Sequence, residues 1–109
     1  MMNPEISVIV PIYGVEKYIA RCAERLFNQT MTDSVEFIFV NDATKDNSIG
    51  VLRDVISQYP RLESRIRIIS HNENKGLPSA RNTGLAAARG EYIAVSYTHL
   101  RAHETLSDL

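Results

Sequence analysis

A single cysteine and the lack of any long apolar run set the first limits on this 109-residue chain. Cys22 alone rules out an internal disulfide and provides no metal-ligand spacing, which fits a reducing compartment. The longest apolar stretch, Ile6 to Tyr13 with Ser7 inside it, falls far short of the roughly 20 residues that a membrane-spanning helix needs. No basic region precedes that stretch, so it does not read as a signal peptide, and a cytoplasmic protein is expected. Basic residues are scattered and the formal net charge is −1, which leaves no patch for nucleic acid or an anionic membrane surface. Two phosphate-binding signatures are also missing. No GxGxxG follows the first apolar run and no GxxxxGK[ST] occurs, which counts against a classical dinucleotide fold and a P-loop enzyme.

What is present is an ordinary globular balance, 44% apolar and 23% charged, enough for one core. Four short runs, "ISVIVPIY", "VEFIFV", "RIRIIS" and "YIAV", are β-branched or aromatic and bounded by polar residues, so each reads as a buried strand. Helix-period stretches lie between them. Tyr18, Ile19, Cys22 and Leu26 form one face; Val51, Leu52, Val55, Ile56 and Tyr59 form the next, stopped by Pro60. A third helix starts near Pro78, presents Leu77, Ala80, Gly84, Leu85 and Ala88, and ends by Gly90. Alternating strands and helices with continuously apolar strands predict a parallel sheet covered on both faces, joined by right-handed crossovers.

Ligands of such sheets bind beyond the carboxyl ends of the strands. After the first strand, Pro11 belongs at a strand end or edge, and Tyr13 either faces a ligand or caps the core. Glu16 is explained as readily by helix-dipole stabilisation as by ligand contact. After the second strand, Asn41 and Asp42 sit at the carboxyl end, where Asp42 can accept hydrogen bonds from a ligand's imide or amine. One of the polar residues from Thr44 to Asn47 caps the second helix, which gives Asp46 and Ser48 a structural reading. After the third strand, Gly76 precedes a helix start whose amides and dipole suit a phosphate, with Lys75 and Arg81 adding positive charge.

The segments "SVIVPIYGVEKYI", "EFIFVNDATKDNS", "NKGLPSARNTGL" and "ARGEYIA" resemble, in order and spacing, the amino-terminal half of family 2 glycosyltransferases of the GT-A type, over about residues 5 to 94. The resemblance implies a truncated GT-A (Rossmann-like) α/β fold of three layers, with about four mostly parallel strands and three helices. It implies transfer of a sugar from a nucleotide donor, a UDP-sugar, to an acceptor that is a polysaccharide or a lipid-linked saccharide, in a bacterial enzyme at the inner membrane face. It also implies the site residues: Tyr13 against the base with Pro11 and Ile12 as adjoining backbone, Asp42 bonded to the base, Arg81 near base or diphosphate with Lys75 in the loop before it, and Glu16 at an acidic position near the nucleotide.

The same resemblance implies an acidic D-x-D cluster after "GEYIA" that holds Mg²⁺ or Mn²⁺ in the full-length enzyme. Here the chain reads "VSYTHLRAHETLSDL", and Asp108 is the first Asp beyond the strand. His99 and His103, with Glu104, offer a replacement pair but no further ligand. Residues 95–105 resemble a translated transposon-end sequencing adapter. The expected organisation is therefore a nucleotide-sugar-binding part over residues 1–94 and a non-native tail over residues 95–109. Without a metal site or catalytic base, this chain is expected not to catalyse transfer. A non-catalytic nucleotide-binding module and a fragment without function are the alternatives.

Overall fold

The structure is a computed structural model that describes residues 4–29 and 34–98. Four strands, β1 (Ile6–Ile12), β2 (Val35–Asn41), β3 (Ile66–Ser70) and β4 (Tyr92–Val95), form one sheet in the order β3-β2-β1-β4, and every pairing is parallel. Helices α1 (Ile19–Phe27), α2 (Ser48–Ile56) and α3 (Leu77–Ala87) fill the crossovers, with a 3₁₀ helix over Pro60–Arg65.

Strand alternation divides the core between the two faces. Val8, Val10 and Ile12 of β1 and Val35, Phe37 and Phe39 of β2 pack with Ile19, Ala23, Leu26 and Phe27 of α1, Leu52 and Val55 of α2, and Leu62. Phe27 anchors this side, meeting Phe37, Phe39 and Tyr59 at tilted or edge-on angles with ring centroids 5.1, 6.0 and 5.2 Å away. The other face is thinner: Ile38 and Val40 pack against Ala80 of α3. Small residues let α3 lie close to the sheet. A Cβ on Gly84 would come within 2.4 Å of Ile9 Cγ2.

Pro11 sits inside the strand rather than after it, where its missing N–H is harmless. Ile9 O accepts from Ser96 N and Ile12 O from Asp42 N, so odd residues of β1 face β4. The β4 register ends at Ile9, and Pro11 lies beyond it.

Four details differ from the sequence-based expectation. Tyr13 lies outside β1. The α2 helix stops at Ile56, and Pro60 instead opens the 3₁₀ helix. Leu77 and Leu85, assigned to the inner face of α3, are 40% and 41% exposed, because the face turned to the sheet is the small-residue one of Ala80 and Gly84. Tyr18 is likewise exposed, its place in the α1 core taken by Ala23 and Phe27.

Sequence inspection also passed over the charge inside β2. Glu36 is buried on the α3 side and satisfied from three directions. Ser7 Oγ donates to its Oε2 at 2.5 Å, Arg89 N to the same oxygen at 2.6 Å, and Arg67 Nη2 to Oε1 at 3.1 Å, while Gly90 N closes the ring by donating to Ser7 Oγ at 2.8 Å. Arg67 Nη2 also donates to Ala87 O at 2.6 Å, which satisfies a carbonyl at the end of α3. Burial pushes the Glu36 carboxyl up, but these donors outweigh it and hold it below the ordinary value.

Two glycine substitutions test the close approach of α3. Gly84→Ala should destabilise by about 1–3 kcal/mol through overpacking against Ile9. Gly50→Ala in α2 meets only the movable Asn47 side chain, so helix propensity should make it neutral or stabilising by up to about 1 kcal/mol. The urea unfolding midpoint should fall in Gly84→Ala and stay level or rise in Gly50→Ala.

Candidate functional site

The sheet register sets Ile12, Asn41 and Ser70 level with one another, so the loops after β1, β2 and β3 leave from one edge. The first loop is fastened to the second. Gly14 N donates to Thr44 Oγ1 (2.9 Å), Val15 N to Ser48 Oγ (3.1 Å) and Glu16 N to Asp46 Oδ2 (3.2 Å). Asp46 Oδ1 gathers Thr44 Oγ1 at 2.7 Å, Ser48 N at 3.1 Å and Ser48 Oγ at 2.6 Å. Burial works against the Asp46 charge, yet these hydrogen bonds lower its pKa to about 2. Asp46 is thus the residue that caps α2, from one position before the N-cap Asn47, whose own side chain makes no capping bond.

Glu16 completes the fastening. Its Oε1 accepts from Asn47 N at 3.0 Å, so it serves the start of α2 rather than its own helix. Tyr13, immediately before Gly14 (φ +64°), is left 43% exposed on a loop held by three backbone bonds. Pro11 and Ile12 are buried, and the Ile12 carbonyl accepts from Asp42 N at 2.9 Å.

Asp42 is the centre of the site and is 1% exposed. Its Oδ1 accepts from His71 Nδ1 and Lys75 N, both at 2.8 Å; its Oδ2 accepts from Asn74 Nδ2 at 2.9 Å and Gly76 N at 2.8 Å. The other ring nitrogen of His71, Nε2, lies 2.7 Å from Thr83 Oγ1 on α3. An ionised carboxylate offers about four acceptor positions, and all are filled. Burial raises the Asp42 pKa, but hydrogen bonds from His71, Lys75 N and Gly76 N more than compensate, and the carboxyl is held below its ordinary range.

This arrangement changes two sequence-based expectations. The amides of Lys75 and Gly76 are not free for a phosphate: the anion at the start of α3 is the Asp42 side chain. Asp42 in turn has no vacant acceptor for a ligand unless one of its four donors leaves. The Lys75 side chain is exposed, and Arg81 is half-buried one turn into α3. His71, Asn74 and Thr83 were missed. His71 was findable, because it follows β3 as directly as Asp42 follows β2.

Among the described residues, no group of three or more His, Cys, Asp or Glu is placed to hold a metal ion. At this edge Asp42 and Asp46 have their oxygens committed to internal donors and Glu16 Oε1 accepts from Asn47 N, so these acids do not assemble a site for a divalent cation. His99, His103, Glu104 and Asp108 lie outside the described residues.

Comparison with known proteins places this edge in context. The family model "Glycosyl transferase family 2" matches residues 7–102. The uncharacterized glycosyltransferase EpsJ of Bacillus subtilis is 49% identical over 92 residues, covering 84% of this chain and 25% of its own length. The chain therefore spans about a quarter of that relative. Among solved structures, the mannosyltransferase PcManGT of Pyrobaculum calidifontis, in complex with GDP-Man and Mn²⁺, superposes with a TM-score of 0.82 at 25% identity, over 99% of this chain and 32% of that one. Residues 1–349 of S. aureus TarS in complex with UDP-GlcNAc give 0.73 at 28% identity, over 86% of this chain and 26% of that one.

The carboxylates at this edge make stability depend on acid. A depressed carboxyl pKa contributes stability that is complete above the unfolded value, about 4, and is lost as pH falls through the folded value, about 2 for Asp46. Urea midpoints should hold from pH 7 to about 5 and fall steeply between about 4 and 2, with Asp46→Asn flattening that fall. Asp42→Ala should cost about 3–5 kcal/mol at neutral pH, since it leaves His71 and two amides without their acceptor.

Proposed function

Since this chain belongs to glycosyl transferase family 2, we propose that it is the donor-binding part of an enzyme that transfers a sugar from a UDP-sugar to a saccharide acceptor, a polysaccharide or a lipid-linked one. The nucleotide lies across the carboxyl ends of β1, β2 and β3. Tyr13 stacks on the base beside the Pro11 and Ile12 backbone, Asp42 reads the base edge, and Glu16 holds the first loop in place. Because the α3 dipole already faces Asp42, the diphosphate charge falls to the side chains of Lys75 and Arg81 rather than to the helix amides.

The observation that carries this reading is Tyr13. A large aromatic residue left 43% exposed on a fastened loop loses little freedom when a planar base stacks on it. The UDP-GlcNAc and GDP-Man complexes of the two structural relatives agree with a nucleoside diphosphate as the bound group.

Transfer is a separate matter, and we propose that this chain by itself binds without turning over. A family enzyme bound to Mg²⁺ or Mn²⁺ uses the cation to stabilise the departing diphosphate. The described residues supply no cluster for that ion, and the tail over residues 95–109 is read as non-native.

Isothermal titration with UDP tests both statements. Tyr13→Ala should weaken UDP by about tenfold or more, the equivalent of roughly 1–3 kcal/mol of base stacking, while its thermal unfolding stays near that of the parent. Equal affinity in both proteins would remove Tyr13 from the site, and no binding by the parent would remove the reading. With UDP-sugars and Mn²⁺, release of UDP should not rise above the uncatalysed rate.

A further inference from the structure

Resting on the nucleotide-binding reading above, we propose that Asn74 is a specificity-determining gate. Its carboxamide occupies the acceptor position on Asp42 that an incoming base must take, and binding exchanges Asn74 for a ring N–H of the base.

The four donors on Asp42 are not equally replaceable. Lys75 N and Gly76 N belong to the backbone that starts α3, so releasing either means rebuilding the helix entry. His71 is 8% exposed and is tied at Nε2 to Thr83. Asn74 is different in kind. It is an exposed residue that reaches Asp42 through rotatable bonds, and its Nδ2 is divided between Oδ2 at 2.9 Å and the main-chain carbonyl of Asp42 at 3.3 Å. Beyond the bond exchanged, rotating it away gives up only that longer bond to the Asp42 carbonyl and leaves the hydrogen bonds from the Lys75 and Gly76 amides in place.

The exchange also dictates which bases can complete it. Asp42 as a carboxylate only accepts, so the group replacing Asn74 Nδ2 must donate. Uracil and guanine present a ring N–H on the edge opposite the sugar. Cytosine and adenine present a bare ring nitrogen there, which would face the carboxylate lone pair to lone pair. A neutral donor replaces a neutral donor, and the charge and bond count at the Asp42 carboxylate are unchanged. For a base of the wrong kind Asn74 has no replacement, and the buried carboxylate would lose a bond.

Titration of the whole chain and Asn74→Ala with UDP and with CDP separates the possibilities, since the two ligands share ribose and diphosphate. In Asn74→Ala the competing donor is gone, so UDP should bind roughly three- to tenfold more tightly, in proportion to the fraction of open sites gained, while CDP gains nothing comparable. UDP affinity that is unchanged or weaker in Asn74→Ala overturns the gate and leaves the nucleotide site standing. Failure of both proteins to bind UDP overturns the site itself. Should Asn74→Ala unfold, the side-chain amide resonances of Asn74 in the parent chain decide the matter. They should move to solvent-exposed values as UDP saturates, and resonances that stay in place overturn the exchange.

Discussion

The buried carboxylate of Asp42 is the interaction on which the edge carrying the candidate site depends. Removing a carboxylate from water costs several kcal/mol unless its lone pairs are satisfied, and here two backbone amides, a histidine and an asparagine satisfy them. Those four donors all come from the segment between β3 and α3. One side chain at the end of β2 therefore decides how the chain leaves β3 and where α3 begins. The Asp42 carboxyl is held below its ordinary range for the same reason: burial works against its charge, and the hydrogen bonds from His71, Lys75 N and Gly76 N outweigh it.

A second buried carboxylate on the same strand performs the matching task at the other end of α3. Glu36 and Asp42 are six residues apart in sequence and lie on the same face of β2, which separates them by about 20 Å. An 11-residue α3 is about 16 Å long, and the short segments on either side make up the difference. Asp42 accepts from Lys75 N and Gly76 N at the helix entry, while Glu36 accepts from Arg89 N just past its exit. Strand β2 thus measures the helix that crosses it. With few large apolar residues on that face, Ile9, Ile38 and Val40 being the fully buried ones among the described residues, these polar clamps fix a position that hydrophobic contact alone would leave loose.

The legibility of the sequence follows from the same division. Period and punctuation revealed all four strands, the three helices and the parallel sheet, because Val8, Val10, Phe37 and Phe39 declare burial by their own chemistry. The loops were legible as loops, and Tyr13 and Asp42 stood out because they follow strands directly. What could not be read was which polar side chain holds which backbone group. Nothing local distinguishes the Asp46 that caps α2 from the Glu16 that reaches α2 from another segment, since the second bond joins residues 31 apart in sequence. Glu36 was hidden for the opposite reason. Within "VEFIFV" one charge looks like an exception to an apolar run, and only the arrival of Ser7, Arg67 and Arg89 from three other segments shows it to be a satisfied buried group. Leu77 and Leu85 misled in turn, because an apolar residue on a helix need not face the sheet when glycine and alanine already do.

The two clusters at the functional edge also differ in how they couple to a ligand. The Asp46 network, with Thr44, Ser48 and Glu16, joins loop to loop and leaves Tyr13 projecting; its members already have their partners, and a ligand stacked on Tyr13 asks none of them to move. The Asp42 network offers no such separation. Any group that reaches its carboxylate must displace a donor that also shapes the start of α3, so recognition there acts on the same bonds that hold the fold. In the nucleotide site proposed above, variation at Tyr13 would therefore change affinity with little effect on stability, whereas variation at Asp42 would change both together. In the proposed exchange that coupling favours a rotatable side chain over a backbone amide as the departing donor, because the amides of Lys75 and Gly76 then keep their bonds at the helix entry.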